Sequence, residues 1–402
     1  MQLNCKITQK MENRFIHRNI EDTIIKACRY FPVVTITGPR QSGKTTLIKH
    51  LFKELPYYSL ENIDLRTFAL KDPVAFLNQS AQGMILDEVQ HVPALLSYIQ
   101  GIVDEDSSKR FILSGSAQFS MLKTITQSLS GRTAVFELLP MSYAEVKKMA
   151  AQKSLDELLF DGFYPAIYAG KNIANYLYPN YIKTYLERDI RDLLQIKDMM
   201  QFQVFLRLCA GRTGNLFNIS ELSNEVGLSV NTVKSWLSVL QASYIVFLLP
   251  PYFENIGRRL TKTPKLYFTD TGLACYLLGI ETPQQLSRDK KRGDLFENFI
   301  IAEALKQRYN KGKESNLFFY RDSHQNEVDL LLKHGDRFNV VEIKSAQTFH
   351  SEFEKGIKAI DKVLGSRIDG KALIYAGDFE NTSGDIQLLN YKNLETIFSL
   401  KH

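Results

Sequence analysis

Gly38-Pro39-Arg40-Gln41-Ser42-Gly43-Lys44-Thr45-Thr46 follows the apolar, β-branched run Val33-Val34-Thr35-Ile36-Thr37 and precedes Leu47, Ile48, Leu51 and Phe52. The run predicts a buried parallel strand, and the later spacing predicts a helix. The residues between them fit G-x-x-x-x-G-K-S/T, a glycine loop whose backbone N–H groups curl around an anion. The helix N-terminus adds partial positive charge. Gly38, Pro39, Arg40, Gln41, Ser42, Gly43, Lys44, Thr45 and Thr46 would then cradle phosphates. Lys44 would reach the β/γ-phosphates, and Thr45 would offer a hydroxyl to Mg²⁺. A chance glycine turn would lack the flanking strand and helix.

Gly83-Met84-Ile85-Leu86-Asp87-Glu88-Val89 reads as an apolar strand ending in adjacent acids. Asp87 would bind the Mg²⁺ held by Thr45, and Glu88 would polarise an attacking water. Acids also favour the start of a helix for electrostatic reasons alone. Downstream of a glycine loop, the hydrolytic reading takes precedence, with ATP and Mg²⁺ as cofactors. A further strand, Phe111–Ser114, ends in Ser114-Gly115-Ser116. There Ser114 or Ser116 would sense the terminal phosphate, or the three residues would form a plain turn. Arg132, in Ser130-Gly131-Arg132, and Arg188, in Tyr185-Leu186-Glu187-Arg188-Asp189, are candidates for stabilising phosphate charge, in cis or from a neighbouring subunit. Each could equally be a surface ion pair.

The 402 residues suggest about two to three domains. Fifty basic and 44 acidic residues leave a net charge of +6. That surplus permits nucleic-acid contact without requiring it. Cys5, Cys28, Cys209 and Cys275 are scattered, which points to reduced thiols and away from a disulfide frame or zinc site. Met1 to Arg14 lacks the apolar core of a signal peptide. The apolar run Tyr244 to Phe253 contains Pro250 and Pro251 and is too short to cross a bilayer. The expectation is a cytoplasmic protein with no membrane partner.

Helix and strand patterns alternate over residues 15–142, which predicts an α/β fold: a parallel sheet covered on both faces. Its strands are expected at Val33–Thr37, Tyr57–Leu60, Met84–Leu86, Phe111–Ser114 and Ala134–Leu138. Residues 143–210 read as helical, with a long helix over Asn175–Leu194. Residues 211–285 contain Ile219 to Ser229 and Val230 to Leu240, two helices sharing the apolar seam Leu222, Val226, Val233, Leu237 and Leu240. Ser229 is a suitable N-cap. Strand-like runs Tyr244–Leu249 and Lys265–Thr269 follow, joined by a loop with Arg258, Arg259 and Lys262. The pattern is a winged helix-turn-helix. In a DNA-binding reading, Asn231, Thr232, Lys234 and Ser235 face the groove; otherwise the unit serves as a lid or docking module. Ser287–Gly293 reads as a mobile linker to a second α/β region at 290–402.

That last region carries Glu297 on a helix, Glu327-Val328-Asp329 opening one strand and Val341-Glu342-Ile343-Lys344 closing the next. Alternate side chains share a strand face, so Glu342 and Lys344 project together. Asp329 and Glu342 could hold Mg²⁺, with Glu297 adding a water-mediated ligand and Lys344 activating a water for phosphodiester attack.

Together these residues resemble a large bacterial and archaeal family of AAA-type ATPases whose C-terminal domain of unknown function is related to PD-(D/E)xK restriction endonucleases. The resemblance rests on residues 38–46, Leu-Asp-Glu-Val-Gln (86–90), Ser-Gly-Ser (114–116), Tyr-Leu-Glu-Arg-Asp (185–189), Leu-Tyr-Phe-Thr-Asp-Thr-Gly-Leu (266–273), Phe-Glu-Asn (296–298) and Val-Glu-Ile-Lys (341–344). It implies a P-loop NTPase parallel sheet with a helical lid and winged helix, then a restriction-endonuclease-like α/β domain. Two functional readings follow. One is an ATP-driven switch acting on DNA or RNA. The other is a signalling or scaffolding ATPase that uses the nuclease-like domain as a non-catalytic platform, with a protein partner or a second copy of itself.

Overall fold

The computed structural model describes residues 15–116, 128–169, 173–186, 199–252 and 262–400. Arg188, Arg258 and Arg259 lie outside the described residues.

Five strands build the first sheet: β1 Val33–Gly38, β2 Tyr57–Ser59, β3 Gly83–Asp87, β4 Arg110–Ser116 and β5 Thr133–Glu137. They pair in parallel in the order β2-β3-β4-β1-β5. Every residue of β1 and β3 is buried, as helices on both faces require. Parallel pairing brings the carboxyl ends of β1, β3 and β4 to one edge, where a ligand crevice belongs. β4 runs further than the sequence suggests. Ser114-Gly115-Ser116 is ladder and not turn, because Ile36, Thr37 and Gly38 pair with it residue for residue.

The expected Asn175–Leu194 helix starts as Ala174–Tyr181 and passes into a π-helical stretch, Ile182–Leu186. Pro179 lies inside its first part and has no N–H to donate. Helices Ile219–Val226 and Val230–Ala242 form the expected pair, with all five seam residues buried. Ser229 accepts the Thr232 N–H at 3.1 Å, as an N-cap does. Trp236 packs against Phe202 and Phe205, which fixes the pair on the preceding Met199–Gly211 helix. An antiparallel ribbon follows, β6 Val246–Leu249 with β7 Lys265–Phe268.

The second large sheet contains β8 Leu317–Arg321, β9 Glu327–His334, β10 Arg337–Lys344, β11 Ile368–Tyr375, β12 Asn381–Ser383 and β13 Ile386–Asn390. Its order is β12-β13-β11-β10-β9-β8. β8, β9 and β10 form an antiparallel meander, and β10, β11 and β13 are parallel. The Lys355–Leu364 helix makes the crossover from β10 to β11. The chain is therefore mixed α/β, with a parallel central sheet and a separate C-terminal sheet.

Ser287–Gly293 is not a free linker. It ends one helix and begins the Arg292–Asn310 helix. Arg292 pairs with Asp156 at 2.6 Å and donates to the Ser345 carbonyl at 3.0 Å. One apolar cluster runs from Leu139 through the helices and ribbon into the C-terminal sheet as far as Leu400. Within it, Phe163 stacks on Phe299 at 5.3 Å. Below that stack, Lys306 donates to the Met141 carbonyl at 3.0 Å and pairs with Glu303 at 2.8 Å.

Candidate functional site

The glycine loop leaves β1 at Gly38 and enters the Lys44–Leu51 helix at Gly43. Gly38 must be glycine, since a Cβ there would lie 2.2 Å from the Leu138 carbonyl oxygen. Gly43 has φ +94°, a region that favours glycine. Lys44 is buried and donates to the carbonyls of Gly38 at 2.9 Å and Pro39 at 2.8 Å. Burial pushes its ammonium down to about 8, against the opposing pull of Glu88 and Asp87.

Asp87, at the end of β3, gathers the neighbouring hydroxyls. Its Oδ2 accepts from Thr45 Oγ1 and from the Tyr57 phenol, each at 2.7 Å. Its Oδ1 accepts from Ser114 Oγ. Ser114 is thus placed between the acid and β1, where β4 sits in the sheet. Glu88 adopts a left-handed backbone, φ +55°, unusual for a side chain of its size. Its Oε2 accepts from Gln90 Nε2 and from the Ser116 N–H at 3.4 Å. Arg40 lies 3.8 Å from Glu61, beyond the loop.

Two observations fit a nucleotide and a cation here. Ser42 Oγ is fully buried with no hydrogen-bond partner among the described residues. Lys44, meanwhile, is satisfied among the described residues by backbone oxygens of its own loop. Beside the loop a cavity of about 210 Å³ is walled by Phe15, Gly43, Thr46, Leu47, Met141 and Pro165. Arg18 braces it, donating to the carbonyls of Ser42 and Leu139 at 2.8 Å each and pairing with buried Glu145 at 3.1 Å.

Arg132 does not join this constellation. Its carbonyl accepts the Val33 N–H at 3.2 Å, which puts it at the amino edge of the sheet, opposite the glycine loop. Its guanidinium is held by Asp104 at 2.5 and 2.8 Å. A role in cis on phosphate is therefore corrected: a six-residue strand separates the two.

In the C-terminal sheet, Lys344 bridges Glu342 at 2.6 Å and Asp329 at 3.5 Å. Asp329 also accepts the Ile343 N–H at 2.8 Å. Burial and neighbouring Asp329 push the Glu342 carboxyl well above the usual range, and its Oε2 has no hydrogen-bond partner among the described residues. Lys344 is held above its ordinary value: burial opposes the charge, but Asp329 and Glu342 outweigh it. Glu297 is committed elsewhere. Its Oε1 accepts from Lys265 at 2.9 Å and from the Tyr267 phenol at 2.5 Å. Lys265 reaches Glu327 as well, at 2.6 Å. Glu297, Asp329 and Glu342 do not present three ligand atoms within 4.8 Å of one another among the described residues. Glu297 is expected to act on a cation only through water, and in this structure its carboxylate is held by Lys265 of β7.

Residues 30–147 match the family described as an AAA domain. Residues 152–284 and 292–394 match two domains of unknown function, DUF8612 and DUF4143. The uncharacterized protein Rv2008c of Mycobacterium tuberculosis is 32% identical over 328 residues, covering 80% of this chain and 72% of the relative. The chain belongs to its family, and its residues 30–147 carry an AAA domain. The uncharacterized protein MJ1544 of Methanocaldococcus jannaschii is 23% identical over 396 residues, 90% of this chain and 84% of the relative. Among solved structures, a Walker-type ATPase of Pyrococcus abyssi aligns with TM-score 0.42 and 13% identity, over 65% of this chain and 96% of its own. A DNA replication initiation factor aligns with TM-score 0.30 and 14% identity, over 55% and 74%.

Sequence reasoning missed several residues of these two sites. Tyr57 and Gln90 hold the two acids, Arg18 braces the glycine loop, and Lys265 fills the C-terminal carboxylates. Only Gln90, two residues after Glu88, lay within reach of a local pattern. The other three act across long stretches of chain.

Proposed function

We propose that this P-loop ATPase is an ATP-hydrolysing switch acting on nucleic acid. The observation that carries the nucleotide part is Asp87, which collects Thr45, Tyr57 and Ser114 at the mouth of the glycine loop. Thr45 and Asp87 would hold Mg²⁺, which supplies charge neutralisation to the phosphates when bound. Lys44 would exchange the Gly38 and Pro39 carbonyls for phosphate oxygens. Glu88, held by Gln90 and Ser116, would accept the proton of an attacking water.

The helix pair and ribbon are read as a winged helix. Asn231, Lys234 and Ser235 are exposed on its second helix, as groove contact requires. The C-terminal sheet is read as nuclease-like, with Asp329, Glu342 and Lys344 as its cutting set and the unpartnered Glu342 Oε2 as the natural acceptor for a cation. The test uses the full chain. Mg²⁺-dependent ATP turnover should vanish in Lys44→Ala, and DNA or RNA cleavage should vanish in Asp329→Ala and Lys344→Ala. Turnover surviving Lys44→Ala would refute the ATP assignment.

A second reading has its own observation. Lys265 holds Glu297 and Glu327 as a built-in cation, which favours a non-cutting platform for a protein partner or a second copy. Calorimetry with Mn²⁺ on the full chain separates the two. A binding heat lost in Glu342→Ala supports cutting, and negligible heat in both proteins supports the platform.

A further inference from the structure

Outside the phosphate loop and the C-terminal carboxylates, one group of side chains has the geometry of a metal site. His17, Glu21 and His50 bring a ring nitrogen, a carboxylate oxygen and a second ring nitrogen within 4.8 Å of one another. We propose that these three residues form a zinc site that joins the segment ahead of the Glu21–Ala27 helix to the end of the phosphate-loop helix.

His17 Nδ1 lies 3.1 Å from Glu21 Oε2. The ligands of a tetrahedral zinc ion stand about 3.4 Å apart, given bonds of roughly 2.1 Å. This pair is already at that separation, so only a small swing of His50 completes the triangle. Glu21 is oriented by its other oxygen, which accepts the Arg18 N–H at 2.6 Å. An outer hydrogen bond of this kind fixes a ligating carboxylate. His50 is oriented by packing: Phe15 stacks on its ring at 3.6 Å, with the planes 11° apart. Its nitrogens have no hydrogen-bond partner among the described residues. A surface pair of His17 and Glu21 alone would have no need of His50.

The donor set favours a transition-metal ion over a hard, all-oxygen one. Two imidazoles and one carboxylate suit Zn²⁺, leaving a fourth position for water. Mg²⁺ and Ca²⁺ favour all-oxygen sets and are not expected here. The side chain of His17 is 78% exposed, so the ion can enter from solvent without unfolding the chain. Phe15 and Leu47, on the two bridged segments, both line the cavity beside the glycine loop. A bound ion would therefore pin one wall of that cavity against the other.

The test needs no nucleotide, so it is independent of the ATPase reading. The full chain, stripped with a chelator, is titrated with Zn²⁺ by calorimetry and with Co²⁺ by visible absorption. One equivalent should bind, and Co²⁺ should develop d–d bands. His17→Ala should weaken Zn²⁺ at least tenfold and abolish the bands. His50→Phe keeps the ring stack on Phe15 but removes the nitrogens, and should do the same with unchanged circular dichroism. Glu21→Gln should weaken binding less. Absence of binding in the natural chain, or isotherms unchanged in both histidine variants, overturns the proposal.

Discussion

The phenol of Tyr244 lies 2.9 Å from Thr37 Oγ1, one residue before the glycine loop begins. The same oxygen reaches Glu137 on β5 at 3.2 Å. Tyr244 stands between the second helix of the pair and the ribbon, with φ +55°. A bulky residue holds that backbone only when its surroundings demand it. Burial, with Glu137 alongside, holds its phenol protonated. The contact is a direct mechanical link between β1 and the unit read as a winged helix.

Tyr244→Phe keeps the ring and removes the bridge. It should cost about 1 kcal/mol of stability in urea unfolding. Hydrogen exchange over 262–269 should respond to ATP in the natural chain and not in the variant. An identical response in both would show that the signal travels by another route.

Glu88→Gln should retain ATP but turn it over at least 100-fold more slowly, the scale of a lost general base. Tight binding of a fluorescent ATP analogue beside a collapsed steady-state rate is the expected pair of results. Near-normal turnover would remove Glu88 from the chemistry.

Lys44 implies a pH dependence whose sign can be worked out. Burial has lowered its pKa to about 8. Phosphate placed against it favours the charged form and raises that value again. Nucleotide binding therefore takes up a proton at and above pH 8, and affinity falls as pH rises through that point. Calorimetry in buffers of different ionisation enthalpy should show the uptake, and Lys44→Ala should lack it. Buffer-independent heats would contradict the assignment.

Lys265→Met should be severe. Its ammonium is almost wholly enclosed, and its removal leaves Glu297 without a cation while Glu327 keeps only Arg321, at 3.1 Å, among the described residues. Breaking one side of a buried pair costs about 3–5 kcal/mol. Adding Glu297→Gln should recover part of that loss in denaturant titrations. A single variant as stable as the natural chain would mean the carboxylates are already neutral.

Arg132→Ala should change ATP turnover less than about twofold, because the arginine sits at the far edge of the sheet with Asp104. A drop of 10³-fold or more, the effect of a lost arginine finger, would place it across a subunit boundary.

Much of this was readable before any coordinates. The β-branched run at Val33, the glycines and the paired acids each announce themselves over a few residues, and so does the apolar seam from Leu222 to Leu240. Their meeting at one sheet edge follows from parallel pairing alone. Ser114-Gly115-Ser116 reads from sequence either as a phosphate sensor or as a plain turn, glycine being a common turn residue; the ladder to β1 excludes the turn. β12 was invisible because Asn381, Thr382 and Ser383 carry no apolar alternation. Lys265 read as an ordinary strand-end charge. Nothing near it in sequence shows that Glu297 and Glu327 close around it, since such pairs form only when distant segments pack.

The unbroken apolar cluster from Leu139 to Leu400 bears on how this chain can be taken apart. Severing it near position 290 would leave Phe296, Phe299 and Tyr391 bare to water on one piece, and Phe163 and Leu273 on the other. The first piece would keep the cores of its nucleotide sheet and the second the Tyr320–Leu388 cluster, but the cluster they share would be split open. Deletion mapping at that junction would report aggregation instead of lost activity, and everything beyond the nucleotide sheet should melt as one cooperative block.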